Sequence, residues 1–249
     1  MMEEKENVLR NIVGFDAVER DAMSRGVISE MAEIRRLNTD ELVAKKLIFP
    51  GMQQRDILNS FREIRTKLLQ QSPKENFVVL VSSICEGGGA SFVSANLAVS
   101  FALAENKTAL LIDGNLYDPS ISDMLVPDPD YGLTDYLEDA DLDIDDIIYS
   151  SGIPRLRVIP VGGRRESATE FFTSERMHRF IESVKNRYPD RYVFIDVAPV
   201  SLSTDARILM EICDYAVLVV PSGTATETQI LAGIDAVSRE KLAGIVFNN

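Results

Sequence analysis

The sequence predicts an α/β fold, a doubly wound and mostly parallel sheet covered by helices, on three observations. Continuous apolar runs recur at Val78 to Ser82, Thr108 to Ile112, Leu156 to Pro160, Tyr192 to Ile195, Tyr215 to Val220 and Ala243 to Phe247, as strands buried on both faces do. Helix-length stretches separate them, the alternation that builds a parallel sheet. A glycine-rich turn, SSICEGGGASF, closes the first run, at a strand end where such sheets place ligands.

In chain order, residues 1–72 read as an N-terminal helical segment, polar and rich in Glu, Arg and Met. Helical periodicity marks Asp16 to Leu37 and Arg55 to Leu69, where Ile57, Leu58, Phe61, Ile64 and Leu68 recur at helical spacing. Leu47 to Met52 reads as a connecting turn stopped by Pro50 and Gly51. Residues 73–249 form the α/β domain, with helices expected at Ser91 to Ala104, Thr169 to Tyr188, Asp205 to Ile212 and Glu227 to Arg239. The acidic stretch Asp128 to Asp146 is expected as a surface excursion with a short helix at Leu133 to Leu137. Its carboxylates read as a solvated face rather than a metal site.

Composition bounds the function. The 249 residues, 45% hydrophobic and 26% charged, suit one large core with an appendage. No apolar run approaches the ~20 residues of a membrane span, and Met1 to Arg10 is charged rather than signal-like, so a cytoplasmic location is expected, with peripheral attachment at the inner face of the membrane open. A net charge of −13 argues against a nucleic-acid partner, whose phosphates need Lys and Arg. The two cysteines, Cys85 in the glycine-rich turn and Cys213 in a helix, fit a reducing compartment. No basic neighbour activates Cys85.

The turn has the layout of a phosphate-binding loop, in which backbone N–H groups curl around phosphate at a helix N-terminus and a following Lys neutralises it. Gly87, Gly88, Gly89, Ala90, Ser91 and Phe92 are the expected nucleotide-binding residues. Ala90 sits where the lysine belongs, Ile84 replaces the first glycine of the general pattern, and no Lys or Arg occurs from Glu75 to Asn106. Two aspartates, Asp113 and Asp196, end later apolar strands. With the Ser91 hydroxyl they form a candidate Mg²⁺ corner, and they are the only catalytic candidates. Each aspartate alone reads equally as a helix cap or turn former; together after a glycine-rich loop the three residues read as a site.

The order of SSICEGGGASF, SANLA, ALLIDGNLYDPS, GLTDYL, IPVGGRRESATEFFTS, YVFIDVAPV, STDA and VLVVPSGTATETQ resembles the cytoplasmic domain of the bacterial tyrosine autokinases of exopolysaccharide and capsule synthesis. That family belongs to the deviant P-loop ATPases that include the Par and Min positioning proteins. The resemblance spans Leu47 to Asn249 and implies ATP or ADP with Mg²⁺ as cofactor, ring-like homo-oligomers, and a membrane polysaccharide co-polymerase, the chain-length regulator, as partner. It also marks the helix Asn59 to Leu69 as a subunit contact, with Arg62 and Arg65 as interface residues.

Four departures weaken the implied catalysis. Ala90 replaces the lysine, worth roughly 1 to 4 kcal/mol at about 4 Å from a phosphate charge. Asn115 replaces the second Asp of an Asp-x-Asp motif thought to activate the attacking hydroxyl, and an amide accepts no proton at neutral pH. Asn59 replaces the Glu of a Glu-x-x-Arg-x-x-Arg pattern. The seven tyrosines are dispersed, without the family's tyrosine-rich tail.

The expectation is therefore a catalytically impaired regulator of exopolysaccharide synthesis that binds nucleotide weakly. The alternatives are an active ATPase or kinase with a substitute cation, a Par/Min-like positioning ATPase, and a nucleotide-free adaptor. His178 is expected on an exposed helix face. Asp205 reads as a helix cap or a site residue, and Arg164 and Arg165 as an exposed loop or a phosphate or subunit contact.

Overall fold

A computed structural model of the protein describes residues 35–72, 76–104, 106–163, 168–187 and 190–249. The periodic stretch from Asp16 lies outside these residues up to position 34, as do Arg164 and Arg165. The strands are β1 (Val78–Ser83), β2 (Thr108–Gly114), β3 (Tyr149–Ser150), β4 (Leu156–Ile159), β5 (Arg191–Val197), β6 (Tyr215–Pro221) and β7 (Leu242–Asn248). They form one sheet in the order β3-β4-β2-β5-β1-β6-β7. Every pairing is parallel except β3 with β4. The six expected strands are all present; β3 adds a short antiparallel edge.

The helices are α1 (Thr39–Ala44), α2 (Arg55–Gln71), α3 (Ala90–Ala102), α4 (Ile121–Leu125), α5 (Leu133–Glu138), α6 (Ala168–Phe172), α7 (Glu175–Asn186), α8 (Asp205–Leu209) and α9 (Glu227–Ala236). Alternate residues of each central strand serve opposite cores, because successive side chains point to opposite faces. Val79 and Val81 of β1, Leu111 of β2 and Phe194 of β5 join α2 and α3 on one face. Val78, Leu80, Ile112 and Ile195 meet Met177, Phe180, Ile181 and Val184 of α7 on the other. The helix expected over Thr169 to Tyr188 breaks in two, because the Ser174 side chain accepts from Met177 N–H and starts α7 afresh.

Helix α2 belongs to the same core as the sheet, although it lies before the composition change at residue 72. It buries Leu58, Phe61 and Leu68 there. Helix α3, held between α2 and the sheet, is buried almost all round, so its polar residues need internal partners. Asn96 is fully buried. Its amide accepts from Ile48 N–H at 2.7 Å and donates to the carbonyls of Lys46 and Phe92 at 3.1 and 2.9 Å. This satisfies the irregular backbone around Leu47 and Ile48, which is how part of a connecting turn comes to be buried. No helix among the described residues is long and apolar enough to cross a membrane.

Asn96→Leu should orphan the Ile48 N–H and lower the free energy of unfolding by about 2 to 3 kcal/mol, measured by urea denaturation, with the sheet retained by circular dichroism.

Candidate functional site

The C-terminal ends of β1, β2 and β5 converge on one edge of the sheet, and the loop after β1 curls over it. Ile84 N–H donates to the Val219 carbonyl of β6 at 3.0 Å, and Gly88 N–H to the Cys85 carbonyl at 3.2 Å. The Ser83 hydroxyl donates to the same carbonyl at 2.7 Å. Ile84 is 2% exposed and packs in the core beneath Gly233 of α9, so the position where the general pattern has glycine has become a core residue. Gly89 has φ 86°, a conformation glycine adopts without strain. It precedes α3 with no side-chain cap, leaving first-turn N–H groups open to an acceptor. A Cβ on Gly88 would lie 2.7 Å from that of Ser83. From the far edge strand, Asn248 Nδ2 donates to the Gly88 carbonyl at 3.2 Å, and a Cβ on Gly89 would collide with that amide.

Asp113 and Asp196 sit opposite each other in the β2–β5 register, both at zero exposure. Their environments differ. Asp113 accepts from Ile121 N–H at 3.1 Å, from Ser122 N–H and hydroxyl at 3.3 and 3.4 Å, and from Asn115 N–H at 3.3 Å. It thus caps α4. Burial raises its pKa to about 7, opposed by those hydrogen bonds. Burial, then repulsion from Asp113, raises Asp196 to about 8, with the Ser91 and Ser94 hydroxyls lowering it in part. Neither hydroxyl closes a well-formed hydrogen bond to it: both Asp196 oxygens lack a partner, and Ser94 donates to the Ser91 carbonyl at 3.1 Å.

In front of these groups lies a cavity of about 370 Å³, lined on the loop side by Glu86 to Ser91, a size usual for small-molecule sites. The opposite wall carries Asn115, Tyr117, Asp118 and the turn Val197 to Pro199, with Leu202 beside it. Of these, Glu86, Tyr117, Asp118, Leu202 and the more distant Asn248 were not singled out from the sequence. Glu86, Tyr117 and Asp118 lie inside the quoted motifs, where their proximity to the loop was the available signal. Leu202 and Asn248 carried none.

The remaining candidates scatter. Ala90 lines the cavity at 8% exposure. The Phe92 ring turns away to pack edge-on against Phe61 of α2 at 5.9 Å, so only its backbone lies on the loop side. Arg62 is exposed and lines a separate hollow with Arg55 and Asn59, whereas Arg65 is half-buried and donates to the Ser100 carbonyl of α3. His178 is exposed on α7. Asp205 is the first residue of α8, after Thr204 at the cap, and is buried with both carboxylate oxygens unpartnered. Burial pushes the Cys213 thiol up to about 12.

A parallel sheet, a glycine loop opening a helix, and two strand-end aspartates beside it define the architecture of a P-loop nucleotide hydrolase. No protein-family model matches the chain. Tyrosine-protein kinase CpsD of Streptococcus agalactiae is 35% identical over 191 residues, 76% of this chain and 81% of the relative. Tyrosine-protein kinase YwqD of Bacillus subtilis is 30% identical over 80% of this chain and 84% of that protein. The succinoglycan biosynthesis transport protein ExoP of Rhizobium meliloti is 27% identical over 70% of this chain, but over 22% of its own length. The fold matches that of the chimerical protein CapA2B2 with a TM-score of 0.74 at 24% identity, over 90% of this chain and 98% of that one. It matches the Pyrococcus furiosus cell division ATPase MinD at 0.58 and 25% identity, over 69% and 71%. The chain belongs to the bacterial tyrosine-protein kinase family.

The raised Asp196 pKa carries a sign. Its folded pKa exceeds the unfolded value, so its contribution to stability is intact below about pH 4 and lost as pH rises toward 8. Wild-type protein should lose urea stability relative to Asp196→Asn as pH rises from about 5 to about 8; parallel profiles for the two proteins would show that Asp196 is not held neutral.

Proposed function

We propose that the protein is a catalytically impaired member of the tyrosine kinase family that regulates exopolysaccharide synthesis, binding nucleotide weakly and acting with a membrane polysaccharide co-polymerase. The observation that carries this reading is a loop whose backbone is formed for phosphate while Ala90 stands at the position of its cation. The residues fit the nucleotide and metal in part. Gly87 to Ser91 supply neutral donors along the cavity wall, and their close packing leaves no room for a Cβ at Gly88 against Ser83 or at Gly89 against Asn248. The orphaned oxygens of Asp196 lie behind Ser91, so Ser91 and Asp196 would hold Mg²⁺, whose contribution when bound is to neutralise phosphate charge.

What the chain's own residues do favours binding over transfer. Asp113 spends its oxygens on capping α4 and on Asn115 N–H. Asn115 contributes an amide whose oxygen already accepts from Asp118 N–H at 3.2 Å, and an amide accepts no proton at neutral pH. The family relationship supports a role in polysaccharide synthesis, and ExoP's own name supports the link to a transport complex. Intact-mass spectrometry after incubation with ATP and Mg²⁺ should show no added phosphate; multi-site tyrosine phosphorylation would overturn the reading. Ala90→Lys should tighten ATP by up to about a thousandfold without restoring transfer.

Self-association is the second part of the proposal. Arg62 is exposed on α2 and forms no ion pair among the described residues, while Arg65 serves the fold through Ser100. Arg62→Glu should lower the oligomer mass seen by light scattering and leave the melting temperature unchanged, whereas Arg65→Glu should lower the melting temperature itself. An unchanged mass for Arg62→Glu would remove α2 from the interface.

A further inference from the structure

We propose that the cavity discriminates among nucleotides by charge and takes a nucleoside diphosphate in preference to the triphosphate. The proposal deepens the nucleotide reading and rests on it. Its basis is the inventory of cavity side chains: among the described residues none of those lining it is Lys, Arg or His, and two, Glu86 and Asp118, are carboxylates. Both are exposed at the mouth, and neither forms an ion pair among the described residues, so each presents its charge to whatever enters.

The attractive groups are neutral. They are the N–H groups of the loop and of the first turn of α3, and the Ser91 hydroxyl. Such donors cradle one phosphate well, and a helix N-terminus adds a partial positive charge that fades within a turn. A further phosphate extends beyond their reach and meets Glu86 and Asp118, with no side-chain cation among the described lining residues to offset them. In a loop with its lysine, that outer phosphate carries the strongest contact; here it carries mainly repulsion. An accompanying Mg²⁺ offsets two charges on either ligand and still leaves the triphosphate one unit more negative. Coulomb repulsion from two carboxylates across a partly solvated gap corresponds to roughly a five- to thirtyfold preference, and added salt should reduce it.

Calorimetric titration of the full chain with Mg·ADP and Mg·ATP, at about 50 mM and about 500 mM salt, tests this. The wild type should bind Mg·ADP more tightly, with the ratio shrinking at high salt. In the double variant Glu86→Gln, Asp118→Asn, Mg·ATP should gain more than Mg·ADP and bring the ratio toward one. Where wild-type binding is too weak to measure, the same neutralisation made on Ala90→Lys should move its preference further toward ATP. Equal or tighter binding of ATP by the wild type, or a ratio unmoved by removing the two charges, overturns the proposal alone. No heat from either nucleotide with wild type and with Ala90→Lys overturns the nucleotide reading beneath it.

Discussion

The parallel hydrogen-bond ladder that sets β1 between β5 and β6 is the constraint on which the site depends. Its register places Val81 beside Asp196, and Asp196 beside Asp113, at one level across three strands. Because side chains alternate with period two, a slip of one residue would exchange the two cores and turn Asp196 to the other face. The apolar content of both faces forbids that slip: every residue of β1, β2 and β5 is buried. Position at the strand ends is therefore guaranteed by packing well away from the cavity.

Two buried carboxylates at neighbouring strand ends have to be balanced by a lysine, by a metal or by protons. Ala90 removes the first. Burial makes the third available, since the surroundings of Asp113 and Asp196 favour their neutral forms. The loop's shape is fixed by glycines, by Ser83 and by Asn248 rather than by charge.

The sheet was legible because continuous apolar runs of four to six residues bounded by turn signals admit few other readings, and the glycine loop because its spacing is tied to one backbone shape. Shorter elements escaped. The two residues of β3 are too few to show a period. Helix α1 is announced by the pair Asn38 and Glu41, which cap each other reciprocally, yet its polar composition hid it among connecting residues. Asp113 illustrates the limit at the site. Its place at a strand end was plain, but its partners Ile121 and Ser122 lie eight and nine residues further on, in a short helix that the sequence reading did not mark. Leu202 reaches the cavity through a tertiary turn, and nothing local to that residue announces it.

The bond from Asn248 to Gly88 spans 160 positions of the chain, and it has a consequence for the order of folding. As the polypeptide emerges during synthesis, the glycine loop and the strands around it come first, while β7, half-buried along its length, must still be added at the sheet edge. Contacts of such separation are slow to form because the intervening chain must first be ordered. The glycine loop therefore acquires its clasp late: the bond from Asn248 to Gly88 closes only once β7 has joined the sheet edge.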